Sequence, residues 1–289
     1  MKILITGAGG QLGSDLVRVL SPRHKLAALT RHELDVGDGA AVDAAVFREQ
    51  PEIIIHAAAY TDVDGAEREI DRAYRVNSAG TWHMAEAAER IGAKFVYVST
   101  DYVFDGCKGA PYIERDKPNP LSVYGTSKLH GEKFASMLCE RHFIVRTSWL
   151  YGRGGNNFVA KIVEKARRGA ELSLVDDVFG SPTYSHDLAV FIGSLLETEE
   201  YGTYHGSNGG VCTRYEFARE IIRVLGMEGV KLRRAKADMF PLPAARPAHS
   251  ALADTAAGAI GVKPLRPWKE ALRHFLLTDL ADGREASHA

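Results

Sequence analysis

Little in this chain points outward. Cysteine is scarce: Cys107, Cys139 and Cys212 are scattered through 289 residues. They show no metal or redox spacing and read as reduced thiols in a cytosolic protein. An excess of either charge is missing too. The 36 Lys+Arg stand against 37 Asp+Glu, a formal net charge of −1, so there is no electrostatic footprint for nucleic acid or an anionic membrane. No apolar run approaches the roughly 18 residues of a membrane span. Strand-like sequence begins at residue 2, which leaves no room for a signal peptide. The 11 histidines are dispersed without ligand spacing, so no catalytic metal is expected. Internal repeats and low-complexity tracts are also lacking.

What is there begins at the first residues. Lys2-Ile3-Leu4-Ile5-Thr6 is a short apolar run that reads as a buried strand. Gly7-Ala8-Gly9-Gly10-Gln11-Leu12-Gly13 follows directly, and the next residues have helical spacing. Glycines at 7, 10 and 13 permit a tight turn, close backbone approach to a pyrophosphate and close helix–strand packing. The helix N-terminus then faces the negative charge. The spacing is G-x-x-G-x-x-G, and its position between strand and helix marks a dinucleotide site rather than a surface turn. The candidate cradle residues are Gly7, Gly10, Gln11, Leu12 and Gly13.

The second signal is the pair Tyr124 and Lys128. Positions four apart share one helix face. An ammonium beside a phenol favours the phenolate and lowers a pKa that is ordinarily about 10. Such a tyrosine exchanges a proton with a carbonyl or alcohol oxygen near neutral pH. That is the acid/base half of a hydride transfer, and a nicotinamide cofactor on the glycine loop would supply the other half.

The length admits a large α/β domain and a smaller lobe. Strands are expected at Lys25–Leu29, 53–57, 95–99 and 143–146, and helices at 40–49, 72–91 and 121–139. This βαβα order predicts a doubly wound parallel sheet, a Rossmann domain, with ligands gathered at the carboxyl ends of its strands. After about residue 146 the pattern loosens into a smaller α/β substrate-binding domain. Residues 152–157 form a loop, 241–247 a proline-rich substrate-side loop, and 215–225 and Trp268–Leu277 helices. The expected division is 1–147, with segments near 177–200 returning to it, against 148–176 and 201–289. Residues 282–289 are expected to fray.

Longer segments carry a resemblance. They include Ala57-Ala58-Ala59-Tyr60-Thr61-Asp62-Val63-Asp64, Ser99-Thr100-Asp101-Tyr102-Val103-Phe104-Asp105-Gly106, Val123-Tyr124-Gly125-Thr126-Ser127-Lys128-Leu129 and Arg146-Thr147-Ser148-Trp149-Leu150-Tyr151-Gly152. Asn157-Phe158, Gly180-Ser181-Pro182-Thr183 and Ala245-Arg246-Pro247 complete the set. The chain resembles the extended short-chain dehydrogenase/reductase superfamily and, within it, the dTDP-4-dehydrorhamnose reductase family. The resemblance implies reduction at C4 of a nucleotide-linked 4-keto sugar by NADPH or NADH, for cell-surface polysaccharide. It assigns Tyr124 as proton donor, Lys128 as holder of the nicotinamide ribose, and Thr100 as hydrogen-bond partner of the carbonyl oxygen. Ala57, Ala59, Tyr60 and Thr61 join the cofactor residues, with Asp35 and Val36 against adenine. Trp149 stands against substrate or in the core. Asp101 touches the sugar or only nearby backbone. Asn157 is placed with the substrate residues. Arg246 pairs with a diphosphate or is a solvated charge. Asn77 is read as supporting strands rather than performing chemistry.

The end of the second strand bears Thr30-Arg31 with no acid at either position. An acid there would bind a ribose 2′-hydroxyl. NADPH is therefore expected to serve at least as well as NADH, with Arg31 on the 2′-phosphate. Some members of the resembled family use Mg²⁺ at a glutamate-lined dimer interface. Here Ser185-His186-Asp187 stands in that neighbourhood, so monomer and homodimer stay open. Rival readings are a dehydratase or epimerase of the superfamily, a reductase of another 4-keto-6-deoxy sugar, and an NADP-binding regulatory protein resembling the methionine adenosyltransferase β subunit. Dehydratases typically carry Asp-Glu after the threonine; this chain has Asp101-Tyr102.

Overall fold

The computed structural model describes residues 1–154, 157–169, 171–227 and 229–280. The expected fraying of 282–289, and Gly155 and Asn156 of the expected loop, lie outside the described residues.

The chain alternates from its start: β1 (Lys2–Thr6), α1 (Gln11–Leu20), β2 (Lys25–Leu29), α2 (Gly39–Glu49) and β3 (Ile53–His56). Two short helices follow, α3 (Val63–Ala66) and α4 (Ile70–Tyr74), then a π-helical turn Arg75–Ala79 that runs into α5 (Gly80–Arg90). The helix expected over 72–91 is thus interrupted. Then come β4 (Lys94–Thr100), α6 (Val123–Leu138) and β5 (His142–Thr147). The second half holds β6 (Leu150–Tyr151), α7 (Phe158–Arg167), β7 (Leu172–Val175), β8 (Phe179–Gly180), β9 (Thr183–Tyr184) and α8 (Ser185–Leu196). It closes with β10 (Gly202–His205), β11 (Cys212–Thr213), α9 (Arg214–Val224), β12 (Leu232–Ala235) and α10 (Trp268–Leu277).

Six parallel strands form the main sheet in the order β10-β5-β4-β3-β1-β2. Strand alternation explains its two faces. Ile3 and Ile5 of β1 point into a core with Leu12 and Leu16 of α1 and Leu188 and Ile192 of α8. Leu4, between them, points into a second core with Val42 and Val46 of α2, Met84 of α5 and Ala135 of α6. All of these side chains are buried. Helices on both faces explain the unbroken apolar runs Ile3-Leu4-Ile5 of β1 and Ile53-Ile54-Ile55 of β3. The doubly wound parallel sheet follows from the sequence pattern as expected.

One boundary moves. The return to the main sheet does not end near residue 200: β10, at 202–205, pairs with β5. A third core gathers Val159 and Ile162 of α7, Phe217 and Ile221 of α9, and Phe275 of α10. Helix α9 starts with a reciprocal cap: Thr213 Oγ1 accepts from Glu216 N at 3.1 Å, and Glu216 Oε2 accepts from Thr213 N at 2.9 Å. Cys139 and Cys212 are buried, Cys107 is exposed, and all three are free. Among the described residues no helix is long and apolar enough to cross a membrane.

Candidate active site

A cavity of about 900 Å³ opens at the carboxyl ends of β1, β3 and β4. Its floor is the glycine loop. Gly7 has φ of +69°, and a Cβ there would lie 2.8 Å from the Ala58 backbone. At Gly13 a Cβ would come within 2.1 Å of the Gly7 carbonyl oxygen, so α1 can rest on the loop only as glycine. Gly10 caps α1 without a side chain, and no acid occupies the first turn, which leaves the helix N-terminus suited to an anion. Gln11 adds a buried Oε1 with no hydrogen-bond partner among the described residues. Gly7, Gly10, Gln11, Leu12 and Gly13 all line the cavity. This cradle fits the diphosphate of a dinucleotide.

Part of the lining, after β2 and from α4 into the π-helical turn, is cationic. Arg31, His32, Arg72 and Arg75 stand there together with Asp35 and Val36. Arg75 pairs with Asp35 at 2.8 Å and Arg72 with Glu69 at 2.6 Å. Arg31 forms no ion pair among the described residues. An acid does stand three positions past Thr30. Glu33 Oε2 accepts from both the N and Oγ1 of Thr30 at 2.8 Å, so its carboxylate braces the turn, and Glu33 is not among the residues lining the cavity.

After β3, the segment with Ala57, Ala59, Tyr60 and Thr61 forms another wall. Asn77 of the π-helical turn holds it. Its Oδ1 accepts from Tyr60 N at 2.8 Å, and its Nδ2 donates to Tyr60 O at 3.1 Å and Ser127 Oγ at 3.0 Å. Asn77 therefore ties this segment to α6 rather than supporting strands, which corrects the sequence expectation. Three side-chain bonds explain why the helix bulges there.

Helix α6 brings Tyr124 and Lys128 to the end of β4, where Thr100 stands. Tyr124 and Thr100 line the same cleft, and the Tyr124 ring meets Tyr102 edge-on, with ring centroids 5.6 Å apart. Lys128 is buried; its Nζ donates to Val98 O at 2.7 Å and lies 4.2 Å from the Tyr97 ring centroid. Burial pushes Lys128 down to about 7, with Glu132 opposing. The phenol of Tyr124 sits above its ordinary value, chiefly through burial, and the neighbouring Thr100 hydroxyl only partly offsets this. The expected lowering of Tyr124 by Lys128 is not found. The ammonium is turned toward Val98 and Tyr97, and desolvation of the phenol dominates.

Asp101 is buried and bonded to side chains, not backbone. It accepts from Thr100 Oγ1 at 3.2 Å, Ser148 Oγ at 3.0 Å and Ser250 Oγ. Burial raises its carboxyl to about 6 against those donors.

Trp149 lines the cavity and also packs beside the third core. Its φ of +46° is unusual for a side chain of that size. Its indole has room because residue 180 is glycine: a Cβ there would lie 2.4 Å from Trp149 Cε2. Asn157 lines the cavity as well, but its amide also caps α7: Oδ1 accepts from Ala160 N at 3.0 Å, and Nδ2 donates to Gly152 O at 3.0 Å.

Arg246 is half-buried and engaged with an acid. It forms a two-pronged pair with Asp64 of α3 at 2.8 and 3.0 Å and is not among the lining residues. Sequence reasoning missed Arg214, which lines the cavity at the first position of α9. The signal was available in Thr213-x-x-Glu216, a helix-start pattern that fixes where Arg214 must sit.

The neighbourhood of Ser185-His186-Asp187 is engaged internally. Asp187 pairs with Arg266 at 2.7 Å, and Arg18 pairs with Asp15 at 2.7 Å and Asp279 at 3.1 Å. Among the described residues no group of three His, Cys, Asp or Glu is arranged to hold a metal ion.

A parallel sheet with a glycine-closed first turn, and a Tyr-x-x-x-Lys pair at the mouth of the resulting cleft, define a Rossmann-type, dinucleotide-dependent oxidoreductase. The chain belongs to the RmlD substrate binding domain family, which it matches over residues 1–280. It is 41% identical over 276 residues to the spore coat polysaccharide biosynthesis protein SpsK of Bacillus subtilis, covering 95% of this chain and 96% of that one. It is 40% identical over 276 residues to a dTDP-4-dehydrorhamnose reductase of Streptomyces griseus, covering 93% and 91%. A crystal structure of dTDP-4-dehydrorhamnose reductase from Bacillus anthracis in complex with NADP superposes with a TM-score of 0.93 at 42% identity, covering 96% of this chain and 98% of that one.

Proposed function

We propose that this protein reduces the C4 keto group of dTDP-4-dehydro-L-rhamnose to give dTDP-L-rhamnose, using NADPH or NADH, for cell-surface polysaccharide. The observation that carries the reading is the gathering of Thr100, Tyr124 and Lys128 on the wall of one cleft, at the end of β4, with the glycine loop as its floor. A reduced nicotinamide, when bound, supplies the hydride. Gly7, Gly10 and Gly13 admit its diphosphate, and Arg31 favours a 2′-phosphate. Thr100 orients the carbonyl oxygen, and Tyr124 gives its phenolic proton to that oxygen as it gains charge. With its phenol above the ordinary value, Tyr124 is protonated at neutral pH and so carries the proton that the reduced oxygen requires. Reduction needs no second carboxylate. Asp101 holds Thr100, Ser148 and Ser250 together.

In this reading residues 1–147, α8 and β10 hold the cofactor, and the third core carries the substrate lobe. The reaction is placed in the cytoplasm, with a monomer or homodimer as the acting species. The test is oxidation of NADPH with dTDP-4-dehydro-L-rhamnose, followed by absorbance, for wild type and Tyr124→Phe. Turnover by the wild type with a loss of roughly 10²–10⁴ in kcat for the variant supports it. No turnover with either cofactor refutes the rhamnose assignment, whereas turnover of a different 4-keto-6-deoxy sugar would move the substrate and keep the chemistry.

A further inference from the structure

Arg214 is oddly placed for a structural residue. It is the first residue of α9, where the aligned peptide dipoles disfavour a cation. Its guanidinium lies 3.5 Å from the Trp149 ring centroid and 4.9 Å from that of Phe158. Stacking of this kind uses the faces of the guanidinium and leaves its N–H edges available. Among the described residues Arg214 forms no hydrogen bond or ion pair. The neighbouring acid does not serve it, because Asp101 is committed to three hydroxyls. Its platform is itself specially made, since Trp149 adopts a positive φ and needs a glycine at 180.

We propose that Arg214 is the residue that grips the diphosphate of the nucleotide-sugar substrate, with Trp149 as its platform. This rests on the reductase reading above. A sugar whose C4 lies at Thr100 and Tyr124 carries its diphosphate on C1, across the ring from the reacting carbon. Arg214 stands on the wall of the same cavity, stacked on Trp149. A diphosphate supplies paired anionic oxygens that match the N–H fork. It also neutralises the cation at the helix start. Burial already depresses Arg214 to about 10, the cost expected of a cation awaiting its counterion. Arg246, the residue expected to do this from sequence, is held by Asp64 instead.

Calorimetric titration of the full chain saturated with NADP⁺ tests the assignment. dTDP and thymidine are the two probes, and wild type, Arg214→Gln and Arg214→Lys are the proteins. We expect Arg214→Gln to weaken dTDP binding roughly 10- to 100-fold and to change thymidine binding by less than about 2-fold, with Arg214→Lys in between. Unchanged dTDP binding in Arg214→Gln, or an equal loss for dTDP and thymidine, would overturn the assignment and leave Arg214 a packing residue. Failure of the wild type to bind dTDP at all would instead sink the underlying substrate reading. Should Arg214→Gln not fold, Arg214→Lys decides: dTDP binding as tight as in the wild type, or a loss matched by thymidine, counts against a geometrically specific fork.

Discussion

Replacing the catalytic candidate Lys128 with methionine should make the cofactor-free protein more stable while abolishing its activity. Lys128 is buried, and its native pKa is pushed from 10.5 to about 7. At about 1.4 kcal/mol per pH unit, that gap sets a ceiling of about 5 kcal/mol on the cost of holding the ammonium in the fold. Methionine of similar length removes the cost. It also forfeits the bond to Val98 O at 2.7 Å and the contact with the Tyr97 ring, together about 1–3 kcal/mol. The net expectation at neutral pH is a gain of about 1–3 kcal/mol, or a rise of several degrees in Tm.

The pH dependence is the sharper part. Between about pH 7 and 10.5 the unfolded chain keeps the proton on Lys128 and the native chain has lost it. Wild-type stability therefore rises with pH across that window, and the methionine variant, with no proton to exchange there, does not share the rise. The advantage of Lys128→Met should shrink by about 2 kcal/mol from pH 7 to about pH 9. Urea unfolding of both proteins without cofactor measures it, because bound dinucleotide would add stability by mass action. The reasoning fails if the variant is the less stable protein at pH 7, or if the gap between the two is the same at both pH values.

Other expectations rest on separate features. Arg31→Ala should reduce the preference for NADPH over NADH about 10-fold, read as a ratio of kcat/KM values; an unchanged ratio removes Arg31 from the 2′-phosphate. Gly13→Ala drives a methyl to within 2.1 Å of the Gly7 carbonyl oxygen, so NADPH affinity should fall at least about 10-fold by fluorescence titration, and native affinity would show that the loop can yield. Glu132→Ala strands Arg146, its buried partner at 2.7 Å, and should cost about 3–5 kcal/mol. A Tm within roughly 2 °C of wild type would mean that water or Ser99 compensates fully.

The parallel sheet was legible because burial on both faces leaves apolar runs such as Ile53-Ile54-Ile55, and glycines punctuate the first turn. Local spacing also singled out Tyr124 and Lys128, the family resemblance added Thr100, and all three line one cleft. What sequence could not supply was partner choice over long separations. Arg246 meets Asp64, 182 positions away, and Asp101 meets Ser250, 149 positions away. Which carboxylate an arginine finds depends on tertiary approach, so the diphosphate role went to Arg246 while Arg214, set by a short capping pattern, passed unnoticed. The Tyr124 expectation failed for a related reason. Spacing brings a lysine to the right face of a helix, but the direction of its Nζ and the dryness of the phenol come from β4 beneath it.

These long-range pairings give the substrate lobe a route to the chemistry. Ser250 comes from the segment just after Arg246, which Asp64 anchors beside the end of β3. Ser148 precedes Trp149, the platform under Arg214. Both serines donate to the same Asp101 oxygen, while the other accepts from Thr100. Thr100 stands beside Tyr124 on the wall of the same cleft. A ligand that pulled on Arg214 and Trp149 would act on Ser148, hence on Asp101, and hence on the hydroxyl that orients the carbonyl. The buried carboxyl, raised to about 6, is poorly placed to touch water but well placed to transmit that displacement, because its hydrogen bonds are sheltered from solvent. On this argument Asp101 is a positioning residue. Asp101→Asn should lower kcat far more than it raises KM, since the amide keeps the volume but cannot accept at both positions. A loss confined to KM would show instead that Asp101 meets the sugar directly.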